Sequence, residues 1–133
     1  MTFTGIDITG LTDLSFSGQF AEFNPANGRN HWDPDTQVFF EVSIDGGAFT
    51  KILQFASTSA ANNNQPAALD TDLDGVGDGA VLSSDFATFS SAITGTGSTL
   101  DLRVTFENLT QNNEDFHLDN LTITGTESAP TAT

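Results

Sequence analysis

Apolar residues recur at every second position along most of this chain. Thr4, Ile6 and Ile8 alternate up to Gly10, and Leu14, Phe16, Gly18 and Phe20 share the next face. Val38, Phe40, Val42 and Ile44 point one way, while Gln37, Glu41 and Ser43 point the other, with Phe39 an apolar exception. Asp45-Gly46-Gly47 then predicts a hairpin, because these residues tolerate the positive φ of a tight turn. Its second strand is expected over residues 48–55, with Phe49, Leu53 and Phe55 together and the Lys51 stem lying along the sheet edge.

Alternation resumes over residues 85–93, where Ala87, Phe89, Ser91 and Ile93 share a face. After Gly95-Thr96-Gly97, Leu100, Leu102, Val104 and Phe106 alternate against Asp101, Arg103, Thr105 and Glu107. The last strand changes parity, from Phe116 and Leu118 to Leu121 and Ile123, which predicts a bulge or bend near Asp119-Asn120. A period of two means strands whose side chains alternate between faces. No segment keeps the i, i+3, i+4, i+7 spacing of an amphipathic helix over three turns.

About seven or eight short strands with turns between them predict an all-β chain, an antiparallel two-sheet β-sandwich of jelly-roll type. A chain of 133 residues suits one core, and its 12 phenylalanines would fill most of it. Residues 1–125 read as the domain and residues 126–133, rich in Thr, Ala and Pro, as a linker or tail.

Two stretches break the pattern. Asn24-Pro25-Ala26-Asn27-Gly28 begins a loop that runs through Trp32 to about Thr36. Residues 56–83 carry little strand character, and a loop of that length is uncommon in a small domain unless something orders it.

Composition narrows the candidates for that something. With 18 acidic and 3 basic residues the net charge is -15. Nucleic acid and anionic membrane surfaces would repel the chain. There is no cysteine, so disulfides and thiolate sites are excluded, and two well-separated histidines disfavour zinc. No apolar run approaches the length of a membrane span, and Met1-Thr2-Phe3-Thr4-Gly5 lacks a leader pattern. The chain is then either cytoplasmic or a module of a longer secreted protein, and few lysines with abundant Asn, Thr, Ser, Gly and Asp favour the second, an extracellular or cell-surface location.

The second interruption holds Asp70-Thr71-Asp72-Leu73-Asp74-Gly75-Val76-Gly77-Asp78-Gly79. No hydrophobic core requires carboxylates at alternate positions, and four like charges this close repel. Calcium takes six to eight oxygens at about 2.3–2.6 Å, and a loop of this form wraps carboxylates and a carbonyl around it. Asp70, Asp72 and Asp74 occupy positions 1, 3 and 5 of such a loop. Gly75 takes the sharp turn, the Val76 carbonyl follows, and Asp78 sits at position 9. Position 12 is Val81 rather than a glutamate, so Asp85 or another loop is expected to supply the closing ligand. The stretch resembles the DxDxDG calcium loops of thrombospondin type 3 repeats, dockerins and bacterial surface proteins.

A looser likeness spans more of the chain. Asp33-Pro34-Asp35, the Val38–Ile44 strand with its Asp45-Gly46-Gly47 turn, and Phe116-His117-Leu118-Asp119-Asn120-Leu121-Thr122-Ile123 together resemble jelly-roll modules embedded in large secreted bacterial proteins. Related carbohydrate-binding jelly rolls hold a calcium between an early strand and the final one. The resemblance therefore implies a second metal site from Glu22, Asp33, Asp35, Asp115 and Asp119; the alternative is that these are surface carboxylates at strand ends. Trp32, the one tryptophan, is either a sugar-stacking platform or a plug over one end of the sandwich.

Nothing indicates an enzyme: there is no G-x-S-x-G elbow, triad setting or phosphate loop, and a chance carboxylate pair is expected in so acidic a chain. The expected function is a non-catalytic calcium-binding module with a structural or adhesive role. Its partners would be calcium, other copies or neighbouring domains, and a polysaccharide if it is instead the carbohydrate-binding module of a secreted hydrolase.

Overall fold

The computed structural model describes residues 1–23, 31–110 and 114–128. The predicted break at Asn24–Gly28 lies outside them. The alternating segments become β1 (Thr2–Asp7), β2 (Leu11–Ala21), β3 (Gln37–Ile44), β4 (Thr50–Ser57), β6 (Ala87–Ala92), β7 (Thr99–Glu107) and β8 (His117–Glu127), with a short β5 (Ala67–Leu69) inside the long interruption. They form a five-stranded sheet in the order β1-β7-β3-β4-β5 and a three-stranded sheet in the order β6-β2-β8. Every strand pairing is antiparallel, as predicted.

The two sheets meet through phenylalanine. Phe16 and Phe20 from β2 pack at a tilt against Phe40 of β3, each at a ring-centroid distance of 5.1 Å. Phe20 also lies 5.1 Å from Phe55 of β4. Gly18, two residues earlier on the same face, leaves room for the Phe20 ring, since a Cβ there would sit 2.5 Å from it. Around this centre Ile8, Leu14, Val38, Leu100 and Val104 are fully or almost fully buried. Burying a side chain of this kind contributes roughly 1.5–3 kcal/mol, which identifies the inter-sheet layer as the main drive to fold.

The turns follow their local chemistry. Asp45 and Gly46 both have positive φ, 51° and 75°, and the Gly47 N–H donates to the Ile44 carbonyl at 3.0 Å, as a primed hairpin turn requires. The strand after it starts at Thr50 rather than residue 48, and a bulge at Ile52 restores register between Phe40–Leu53 and Glu41–Lys51. The parity change in the last strand is a bulge opposite Gly18: Ser17 pairs with Thr122 and Gln19 with Asp119, and Asn120 takes φ 51°. β8 continues through Glu127, and the Ser128 N–H donates to the Gly10 carbonyl at 3.0 Å.

On the outer face of the five-stranded sheet two cations cover aromatic rings. The Lys51 ammonium lies 4.1 Å from the centre of Phe39, and the Arg103 guanidinium lies 3.9 Å from that of Phe49. Phe39 is thereby only 8 % exposed despite facing away from the core. Asp101, read from its parity as a solvated outward residue, instead accepts the Gly5 N–H at 2.9 Å, where β1 bulges.

Candidate metal centre

The acidic loop leaves β5 at the edge of the five-stranded sheet and folds back against β4. Backbone contacts anchor it: the Asp70 N–H donates to the Gln54 carbonyl at 2.8 Å, and the Gly77 N–H donates to that of Ser57 at 2.8 Å. The contact at Gly77 is too close for a side chain, because a Cβ there would lie 2.6 Å from the Ala56 carbonyl oxygen. Leu73 and Gly75 turn the chain with φ of 61° and 97°.

Asp70 is the fixed point. It is 1 % exposed, and its Oδ2 accepts from the Gln54 amide at 2.6 Å and from the Gly75 N–H at 2.7 Å. Its Oδ1 accepts the Asp74 N–H at 3.3 Å. Gln54 Oε1 in turn accepts from the Lys51 ammonium at 2.8 Å. A positive charge on the sheet thus reaches the buried carboxylate through one amide. Gln54 is on the outward parity of β4 yet 1 % exposed, because the loop covers it.

Asp72 and Asp78 bring exposed carboxylates to this buried one. One oxygen of each of Asp70, Asp72 and Asp78 lies within 4.8 Å of the others. Two oxygens on one cation at about 2.3–2.6 Å are separated by at most roughly 5 Å, so the three can hold a metal ion. Partial loss of hydration, a hydrogen bond with Asp70 and the charges of Asp74 and Asp78 raise the Asp72 carboxyl above its ordinary range. Asp78 is held below its ordinary range by the Thr71 N–H and hydroxyl, which donate to it at 2.7 and 2.9 Å.

The other residues expected here stand differently. The Asp74 carboxylate turns back to accept the Val76 N–H at 2.9 Å. Asp85 lies in an exposed turn, its N–H donating to the Ser83 hydroxyl at 3.2 Å, and is not among the three that converge. Sequence reasoning passed over Gln54 and Thr71, although a lone amide amid Ile52, Leu53, Phe55 and Ala56 marks Gln54 as a residue with a buried partner.

Of the second set, Glu22 and Asp115 interact directly through their charges, while Asp33, Asp35 and Asp119 each have other partners. Glu22 is 2 % exposed and its Oε2 accepts the Ala67 N–H at 3.2 Å. Burial raises its pKa from the ordinary 4.5 to about 7. The Ala67 N–H opposes the rise, the Asp115 charge adds to it, and the His31 N–H opposes it. Asp115 Oδ1 is buried without a hydrogen-bond partner among the described residues, while its Oδ2 lies 3.5 Å from His117 Nε2. Asp33 accepts the Asn64 N–H at 3.4 Å. The Asp35 carbonyl accepts from Asn108 at 3.0 Å, and Asp119 accepts the Asn120 N–H at 2.8 Å on β8. The carboxylate that organises this end is Glu114, which accepts from the Thr36 hydroxyl at 2.7 Å and the Thr110 N–H at 2.8 Å. Trp32 is fully buried, with Nε1 donating to the Asp115 carbonyl at 3.1 Å; it plugs the sandwich end and offers no face to a sugar.

Glu22 sets a pH dependence. In the unfolded chain it ionises near 4.5, whereas the folded chain keeps the proton to about 7. The folded state binds more protons between those values, so this contribution is full below 4.5 and lost as pH rises through 7. In chelator, the melting midpoint of the wild type is expected to fall over that window, and that of Glu22→Gln to stay flatter. Parallel profiles would refute the assignment.

No protein-family model, curated protein or solved structure matches the chain. Among the described residues no helix is long and apolar enough to cross a membrane.

Proposed function

We propose that this chain is a non-catalytic β-sandwich module that binds calcium and serves a structural or adhesive role in an extracellular or cell-surface assembly. The observation that carries the reading is the convergence of Asp72 and Asp78 on Asp70, a carboxylate the sheet already holds through Gln54. An all-oxygen set of hard, anionic ligands suits calcium rather than a softer metal. The Val76 carbonyl, Asp74 and Asp85 would complete the shell as the loop closes on the ion. Calcium would also offset part of the -15 charge. A second cation between Glu22 and Asp115 would relieve two like charges and engage the unpartnered Asp115 oxygen.

Thermal melting of chelator-treated protein, with calcium or magnesium returned, tests this. Calcium at a hundredfold excess over Kd would stabilise by about 2.7 kcal/mol if it binds only the folded state. Asp72→Ala should abolish that gain and Glu107→Gln should keep it. An unchanged midpoint with no heat of calcium binding would end the proposal.

The runner-up, a carbohydrate-binding module of a secreted hydrolase, loses Trp32 as a platform. It keeps one support: Phe23 and Phe86, 38 % and 43 % exposed, meet at 5.8 Å at one end of the three-stranded sheet, with His117 stacked on Phe23 at 3.9 Å.

A further inference from the structure

Three strands facing five leave the β4–β5 side of the larger sheet partly uncovered. Two cavities of about 470 and 230 Å³ lie along that side, and they share Ile52 and Ser91. They form one slot. Its walls include apolar Val42, Ile44, Leu53 and Leu69, and one end opens on Asp70 and Leu73. Leu73 is 41 % exposed there.

β6 forms the rim of this slot, and its outer edge pairs with no other strand among the described residues. The Ile93 N–H donates to the Leu14 carbonyl at 2.8 Å, which fixes the phase of the ladder. Counting back along the continuous β2–β6 register, Phe89 and Ser91 exchange bonds with β2. The N–H and C=O groups of Thr88, Ser90 and Ala92 therefore point outward. Sheet edges are ordinarily blunted by charges, bulges or cover. β1 has a bulge, β8 has bulges and Asp119, and β5 is covered by bonds from Leu69 and Leu82 to residues 80 and 67. β6, Ala-Thr-Phe-Ser-Ser-Ala, has no charge, proline or register shift.

We infer that β6 accepts an extended, basic strand from another polypeptide, which pairs with Thr88, Ser90 and Ala92 and lays alternate apolar side chains into the slot. Outward backbone groups select a peptide backbone, since main-chain bonds give affinity and pockets for alternate side chains give specificity. Among the described residues no aromatic ring lines the slot for a sugar to stack on. Charge selects a basic partner over a second copy: the slot ends at the acidic loop, Lys51 along it has its ammonium engaged by Gln54 and the Phe39 ring, and two chains of -15 repel.

The test uses the full chain and three synthetic ten-residue peptides. The first alternates valine and threonine and ends in two lysines. The second ends in two glutamates. The third is the lysine peptide with alternate backbone nitrogens methylated. Expected from NMR titration and amide exchange is protection of Thr88, Ser90 and Ala92 by the lysine peptide, at least tenfold weaker binding of the glutamate peptide, and none by the methylated one. Ser90→Pro, whose lost N–H faces outward, should abolish binding in a variant that still folds. Equal binding of the methylated peptide, no protection, protection by a soluble hexasaccharide instead, or protection in the free chain through self-association would each overturn the inference.

Discussion

Asp70→Ala is expected to destabilise the protein by about 2–5 kcal/mol and to abolish its response to calcium, whereas Asp72→Ala removes only the response. The difference lies in what each carboxylate holds. Asp70 accepts from the Gln54 amide and the Gly75 N–H, and both donors lose their partner when it is truncated. A buried donor left unsatisfied costs about 1–3 kcal/mol. The Lys51–Gln54 contact on the sheet would lose its orientation as well. Asp72 is exposed; it accepts the Asp74 N–H at a long 3.4 Å, and its contact with Asp70 is with another carboxyl that raises its pKa, so its loss relieves like-charge repulsion in the metal-free loop. Urea unfolding in chelator and in calcium separates the two roles. An Asp70→Ala midpoint equal to the wild type's in chelator would show that the loop hangs on the sheet by other contacts.

Phe20→Ala is expected to cost about 3–5 kcal/mol, the range for removing a buried ring. Phe20 is fully buried, and its ring lies within 6.5 Å of Phe16, Phe40, Phe55, Phe89 and Phe116. These belong to both sheets and to the segment leading into β8, so the cavity cannot collapse from one side. Phe106→Ala, at a ring 44 % exposed, should cost under about 1 kcal/mol. Urea midpoints at unchanged slope would check both. A Phe20→Ala cost below about 1.5 kcal/mol would mean the inter-sheet layer repacks freely.

What was legible in the sequence was what local chemistry decides. Alternation located seven of the eight strands among the described residues, because a half-buried strand writes its burial at period two. The Asp45-Gly46 turn was readable because positive φ restricts residue type, and the irregularity near Asp119-Asn120 because the apolar parity of the last strand slips there. The three converging carboxylates were readable because their spacing lies within one loop. What escaped depends on distant partners. β5 is a strand only through its pairing with β4. Gln54 is buried only because the acidic loop returns over it, and Asp101 is a structural acceptor only because β1 bulges beside it. Glu22 and Asp115 meet through the pairing of Ala21 with His117, while the other carboxylates of that set answer to different neighbours.

The strand order also ranks the entropy of chain closure. β3, β4 and β5 pair in sequence order, and closing those turns restricts little chain. β1 must find β7, and β2 must find β6 and β8, from Leu11 across to Glu127. Closure cost grows with the length of chain enclosed, and pairings remote in sequence are slow. The β3–β4–β5 meander is therefore the least costly nucleus in the molecule, and the acidic loop is attached directly to its last strand.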